Sequence, residues 1–245
     1  MKLADKVVLI TGGGSGAGAA TAEVCCREGA RVVIAGRNED KLKKVAQAID
    51  GEVAVFAADV SDRPRVNELV EWASAECGQI DIVVNSSGVN IVDRTLEKLS
   101  PENWDYTMNV NVTGAFNVIH AVLPQMRSRG DGVIISISSL AGDHPSVLAG
   151  TAYSASKHAM STLTRMIDLE EAENGIRATV ISPGEINTPI LDERPVKVSD
   201  EHRQRILQPI DIAEAVLFVA AQPPHVCISE MTIKPRGMGQ VSWER

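Results

Sequence analysis

Aromatic side chains are scarce, at 3% of 245 residues: two Tyr, three Phe and three Trp. With 44% hydrophobic residues in all, the core must be aliphatic, built from Val, Ile, Leu and Ala. Basic charge is also short. Against 32 acidic residues stand 24 Lys and Arg, giving a formal net charge of −8 and a pI near 5.2. That balance argues against nucleic acid or an anionic membrane surface as a partner. No apolar run approaches the ~18 residues of a membrane-spanning helix. Met1 to Lys6 lead straight into a strand-like segment with no apolar signal stretch, so a cytoplasmic location is expected. Cysteine is limited to four residues. Cys25 and Cys26 are adjacent, Cys77 and Cys227 lie far apart, and no Cys-x-x-Cys occurs, so all four read as small buried hydrophobes and no metal is expected. Asn85-Ser86-Ser87 and Asn111-Val112-Thr113 match the glycosylation sequon, which carries no weight without a secretory signal.

What the chain does have is rhythm. Near-continuous apolar runs lie at Val7 to Ile10, Val32 to Ala35, Val53 to Ala57, Ile82 to Val84, Val133 to Ile137, Ala178 to Ile181 and Val226 to Ile233. Strands buried on both faces have this character. Between them run amphipathic stretches at Gly16 to Glu28, Glu39 to Ile49, Asp62 to Glu76, Glu102 to Arg127 and Ala152 to Asn174. Gly29, Gly51, Gly78, Gly130 and Gly175 stand where those helices should stop. Alternation of this kind predicts one doubly wound α/β domain over residues 1–245, with a parallel sheet between two helical layers. There is no internal repeat, low-complexity segment or linker. One stretch, Asn187 to Gln208, breaks the rhythm with mixed charge and two prolines, and is expected to be a lid over a substrate.

Two motifs carry chemistry. The first strand ends in Thr11-Gly12-Gly13-Gly14-Ser15-Gly16-Ala17-Gly18 and a helix follows. Glycines there let the backbone approach a pyrophosphate at the helix N-terminus, and without a following Gly-Lys-Ser/Thr it is no P-loop. The second is Tyr153-Ser154-Ala155-Ser156-Lys157, which puts a phenol and an ammonium one helical turn apart. A lysine charge favours the phenolate, so the expectation is a lowered Tyr153 pKa and a general acid/base for a carbonyl or alcohol. At the end of the second strand, where NAD-binding folds of this type carry an acid for the ribose hydroxyl, the chain has Arg37. A guanidinium there favours the 2′-phosphate of NADP over NAD.

With both motifs in place the chain resembles the short-chain dehydrogenase/reductase family over nearly its whole length. The resemblance implies that Gly12, Ser15, Gly16 and Gly18 hold the dinucleotide, with Asp59 and Val60 at the adenine. Asn85-Ser86-Ser87-Gly88 stands at the family's Asn-Asn-Ala-Gly and departs from it at two residues; Asn85 and Gly88 are carried over as cofactor contacts. Asn111 matches the asparagine of the family's proton relay, Ser139 its catalytic serine, and Tyr153 and Lys157 its acid/base and ribose-binding pair. Pro183-Gly184-Glu185-Ile186-Asn187-Thr188 matches the loop at the nicotinamide, with Pro183, Gly184, Ile186 and Thr188 as contacts. Ser139 lies one residue farther from Tyr153 than is common in the family, so the loop between them is expected to bulge on the substrate side, and Ser138 is a competing candidate. The tail, from Pro223 to Pro235, lacks the family's Val-Asp-Gly-Gly and looks like the branch of NADP-dependent serine and 3-hydroxy acid dehydrogenases.

Ser139, Tyr153, His144 and Glu185 are the expected substrate contacts. Arg194 and Lys197, set among Asp192, Glu193 and Asp200, read as mixed-charge surface, with Glu185 and Asn187 nearer the chemistry. His120 reads as packed on its helix, and His158 as pointing away from the site. The implied activity interconverts a carbonyl and an alcohol, on a small hydroxy acid, aldehyde or ketone. A non-catalytic NADP-binding sensor or scaffold on the same fold is the alternative from another class, and an epimerase would need a longer C-terminal region. The long helices resemble those that pair in the family's homodimers and homotetramers.

Overall fold

The computed structural model describes residues 1–236. Residues 237–245, the end of the expected domain, lie outside the described residues. Among the described residues seven parallel strands form one sheet: β1 (Val7–Thr11), β2 (Arg31–Gly36), β3 (Val53–Ala57), β4 (Ile82–Asn85), β5 (Gly132–Ile137), β6 (Ile176–Pro183) and β7 (Glu230–Ile233), in the order β3-β2-β1-β4-β5-β6-β7. The helices are α1 (Gly16–Arg27), α2 (Glu39–Ala48), α3 (Arg63–Cys77), α4 (Pro101–Met108), α5 (Gly114–Arg129), α6 (Thr151–Glu171), α7 (Asp200–Arg205) and α8 (Pro209–Ala220).

The apolar runs divide between the two faces of the sheet. Val8, Ile10, Val32 and Ile34 turn toward α1 and α8, while Val7, Leu9, Val33 and Ala35 turn toward α3 and α5. Each fully buried aliphatic side chain contributes about 1.5–3 kcal/mol. Burial on both faces is why the strands read as unbroken hydrophobic runs.

Local chemistry fixes the helix ends. Asn38 accepts from the Lys41 N–H at 2.9 Å and Asp62 from that of Arg65 at 3.2 Å, while Ser100 caps α4 just ahead of Pro101. All five glycines expected to stop helices have positive φ, from 71° at Gly130 to 153° at Gly51.

Four expectations change. The last strand begins at Glu230, not Val226, because the Arg177 guanidinium takes the carbonyls of Gln222, Pro223 and Val226 and holds that segment as a turn. The long helix from residue 102 is interrupted by a π-helical turn over Asn109–Thr113, and it runs on to Arg129. Cys227 is exposed, whereas the other three cysteines are buried as expected. His120 is exposed and stacks beside Phe116, with ring centroids 5.5 Å apart. No helix among the described residues is long and apolar enough to cross a membrane.

Candidate active site

In a sheet of this order the strand sequence reverses between β1 and β4, and a crevice opens at their carboxyl ends. Thr11 and Asn85 pair across that point. Two connected spaces lie there. A groove of about 610 Å³ extends from Arg37 to Lys157. Beside it is a cavity of about 460 Å³ with Ser139 in its wall. Tyr153 lines both, as do Ser138, Asn90 and Thr188.

The groove is floored by the glycine turn. Gly12 has φ +69°, and a Cβ there would lie 2.7 Å from the Ser86 carbonyl oxygen. Only glycine lets the turn press so closely against the β4 loop. Ser15 and Gly16 open α1 at the groove floor, presenting its unpaired N–H groups. Gly18 lies behind: its Cβ would collide with the Gly12 carbonyl, so it serves the packing of helix on turn. Arg37 and Lys41 stand at one end, and Arg37 donates to the Tyr106 hydroxyl at 2.8 Å. Asp59 and Val60 line the same end, with the Asp59 carboxylate accepting from the backbone and hydroxyl of Ser61 at 2.9 and 2.7 Å. Gly88, Ile186 and Thr188 complete the lining. Asn85 does not reach it. Its side-chain amide is buried without a hydrogen-bond partner among the described residues. Pro183 and Gly184 open on the cavity rather than the groove.

A dinucleotide fits these residues. The floor is Cβ-free where a phosphate would approach, a helix N-terminus points at it, and two cations stand at one end.

At the other end α6 presents Tyr153 and Lys157 from adjacent turns, the Lys157 Nζ 5.6 Å from the Tyr153 ring centroid. Lys157 faces the groove and Ser139 the cavity, with Tyr153 between them. The Lys157 ammonium donates to the Ile137 carbonyl at 2.8 Å. Burial pushes its pKa down to about 7. Burial also pushes Tyr153 up to about 12, against the smaller opposing pulls of the Ser139 hydroxyl and the Arg94 charge. The expected lowering of Tyr153 by Lys157 is therefore not met in this geometry: burial raises the phenol, and the pulls against it come from Ser139 and Arg94 rather than from Lys157.

Ser139 Oγ accepts from the Ala141 N–H at 3.1 Å, in the turn that follows β5. Ser138 is committed elsewhere, to Ser161 at 2.8 Å and the Lys157 carbonyl at 3.2 Å. Asn111 sits fully buried in the π-helical turn. Its amide donates to the Val89 carbonyl and Ser156, each at 3.0 Å, and accepts from the Val89 N–H at 2.8 Å. Turns of this kind are frequent at functional sites.

The loop from Leu140 to Ala152 leaves the cavity at His144, which is exposed and does not line it, and returns through Ser146, Leu148 and Ala149. His144 is thus corrected as a cavity residue: the short turn over Leu140–Gly142 carries the chain outward before it. His158 holds the Ser154 carbonyl at 2.9 Å.

The 187–208 stretch is more ordered than its composition suggests. It holds a 3₁₀ turn (Pro189–Glu193) and α7, and is pinned at its base by a parallel bridge between Ile186 and Leu207. Glu185 accepts from Arg194 at 2.6 Å and pairs with His202 at 2.5 Å, which together hold its carboxylate below the usual range despite burial. The ranking of Glu185 above Arg194 is thereby altered: both line the cavity, and the carboxylate is already engaged by the lid.

Arg94 had no signal in the sequence beyond a charge in a loop. It is 5% exposed and lines the cavity. Its guanidinium donates to the carbonyls of Ile91 (2.9 Å), Leu148 (3.0 Å) and Glu193, joining three loops. Lys41 was also missed, as one of several lysines on α2.

A family model described as short chain dehydrogenase matches residues 6–198. An uncharacterized oxidoreductase of Staphylococcus saprophyticus is 38% identical over 239 residues, covering 96% of this chain and 99% of the relative. A closed form of serine dehydrogenase complexed with NADP⁺ superposes with a TM-score of 0.88 at 28% identity, over 95% of this chain and 96% of that one. The 3-ketoacyl-(acyl-carrier-protein) reductase of Brucella melitensis, complexed with NADH, gives 0.87 at 29% identity, over 95% and 98%. This chain belongs to the short-chain dehydrogenase family.

Proposed function

We propose that the protein is an NADP-dependent oxidoreductase that interconverts a carbonyl and an alcohol, with Tyr153 as the general acid/base. The observation that carries this is the place of Tyr153, in the wall shared by a dinucleotide-sized groove and a substrate-sized cavity, between Ser139 and Lys157. When bound, the dinucleotide supplies or accepts the hydride. In the reducing direction the Tyr153 hydroxyl gives its proton to the carbonyl oxygen as negative charge gathers there. Ser139 donates a hydrogen bond to the same oxygen. Lys157 lies on the groove side to hold ribose hydroxyls, and Asn111 fixes the loop at Val89 beside it. With its pKa raised by burial, Tyr153 is protonated at neutral pH and so enters the reducing direction with a proton to give, as a weaker acid than a free phenol. The stretch from residue 187 to 208 acts as the lid. The test is a panel of aldehydes, ketones, hydroxy acids and sugars, followed by NADPH absorbance. Cofactor binding with no absorbance change on any of them would favour the sensor reading.

Arg37 and Lys41 support NADP over NAD, because a 2′-phosphate at that end of the groove would meet two cations. Arg37→Ala is expected to raise KM for NADPH by about 10–100-fold, the worth of a charge-assisted pair. KM for NADH should scarcely move. Equal changes in the two constants would remove Arg37 from phosphate recognition.

Self-association is the third part of the reading. Trp104, Tyr106, Phe116, Met166 and Leu169 are exposed on α4, α5 and α6. Large apolar side chains left exposed on these helices suit an interface with a second copy of the chain. Sedimentation at micromolar concentration is expected to give a dimer or tetramer, and a monomer of 26.2 kDa would defeat the proposal.

A further inference from the structure

The walls of the cavity beside Tyr153 are charged in a sense opposite to the rest of the molecule. The chain carries a formal charge of −8. Yet the described cavity wall holds Arg94, Arg194, Arg205 and Arg236 with Glu185 as its one carboxylate. Of these, Arg205 is well exposed and paired with Glu201 at 2.6 Å, and Arg194 shares Glu185 with His202. Arg94 differs from both: it is buried and has no carboxylate within ion-pair distance among the described residues.

Burying a guanidinium is costly unless its donors and its charge are both answered. Three carbonyls take three of its five N–H groups. They satisfy hydrogen bonds but leave a full positive charge at the cavity. The neighbouring Arg194 adds to it, and Glu193 opposes it only in part. Gly150 shows how closely the site is built around this side chain: at φ +90° its missing Cβ would fall on the Arg94 side chain. A fold that only needed three loops tied together could do so with a neutral donor and avoid the charge.

We infer that the substrate carries an anionic group, a carboxylate or a phosphate, and that Arg94, assisted by Arg194, receives it across the cavity from Ser139 and Tyr153. This rests on the oxidoreductase reading above and adds the substrate class to it. Leu148, Ile190 and Ile206 are the apolar side chains of the same cavity wall, which suits a short apolar skeleton between the anion and the carbonyl.

The experiment measures kcat/KM with NADPH for short-chain oxo acids, the methyl esters of the same skeletons, and carbonyl compounds bearing a phosphate monoester. The wild type should prefer the anionic member of each pair by about 10–100-fold. Whichever of carboxylate and phosphate wins identifies the group. In Arg94→Gln that preference should collapse to within about threefold, with the ester rate less affected than the acid rate. A side chain that only ties loops together would lower both rates alike and leave the ratio intact. Should Arg94→Gln fail to fold, the wild-type ratio and Arg194→Gln, with KM for the acid raised above that for the ester, carry the test. An ester handled as well as its acid by the wild type overturns this inference and leaves the oxidoreductase reading standing. Turnover of neutral aldehydes, ketones or sugars with none of any acid or phosphate overturns this inference alone, and cofactor binding with no turnover of any compound in either panel overturns both.

Discussion

Tyr153→Phe is expected to lower kcat by about 10³-fold while leaving the affinity for NADPH within about twofold, a barrier increase near 4 kcal/mol. The substitution removes one oxygen. The ring keeps its place between groove and cavity, so the groove lining and the packing of α6 are unchanged. What disappears is the one phenolic hydroxyl that lines both spaces among the described residues, a far stronger acid than the aliphatic hydroxyls of Ser138 and Thr188 beside it. Ser139 remains as a hydrogen-bond donor, but its own hydroxyl is not a comparable proton source. Neither is Lys157, which faces the groove and is tied to the Ile137 carbonyl. Paired measurements of kcat and of NADPH binding by fluorescence decide the matter. Turnover that survives within about tenfold, a loss of only ~1.4 kcal/mol, would take the acid/base role from Tyr153.

That prediction was legible in the sequence because the site is assembled from local patterns. The glycine turn, the tyrosine–lysine pair and the serine after β5 each lie at the end of a strand or on a first helical turn, where spacing alone fixes direction. The strands were legible for a related reason, since burial on both faces removes polar residues altogether. What the sequence hid depends on contacts between distant segments. Arg94 meets carbonyls 54 and 99 residues away, and no local pattern announces that. The start of β7 was misplaced because Arg177, on β6, bends residues 222–226 into a turn. The π-helical turn at Asn111 goes with side-chain bonds to Val89 and Ser156, both remote in the chain. The sign of the Tyr153 shift was also out of reach. Adjacency of a phenol and an ammonium is visible in the letters, but the depth at which both are buried is not.

That depth yields the second large effect. Lys157→Met is expected to abolish turnover and, at pH 6, to make the protein more stable. Lys157 is 4% exposed, and among the described residues no carboxylate pairs with it. Burial pushes its pKa from the ordinary 10.5 down to about 7. The folded value lies below the unfolded one, so between about pH 7 and 10.5 the unfolded chain binds the extra proton. Stability therefore rises with pH across that window. The cost of the buried ammonium is complete below pH 7 and gone above 10.5. Methionine has nearly the same length and no charge, and it forfeits only the hydrogen bond to Ile137. The balance at pH 6 is a gain on the order of 2 kcal/mol, or about 4–8 °C in Tm. The gain should shrink through the window and vanish or reverse near its upper end, where the lost hydrogen bond is all that remains. Thermal denaturation of both proteins at pH 6 and pH 10 reads this directly. A methionine variant less stable than wild type at pH 6 would mean that the ammonium is compensated in the fold. A variant that is more stable and inactive would identify Lys157 as a charge kept against the interest of the core, because ribose binding and proton transfer require it there.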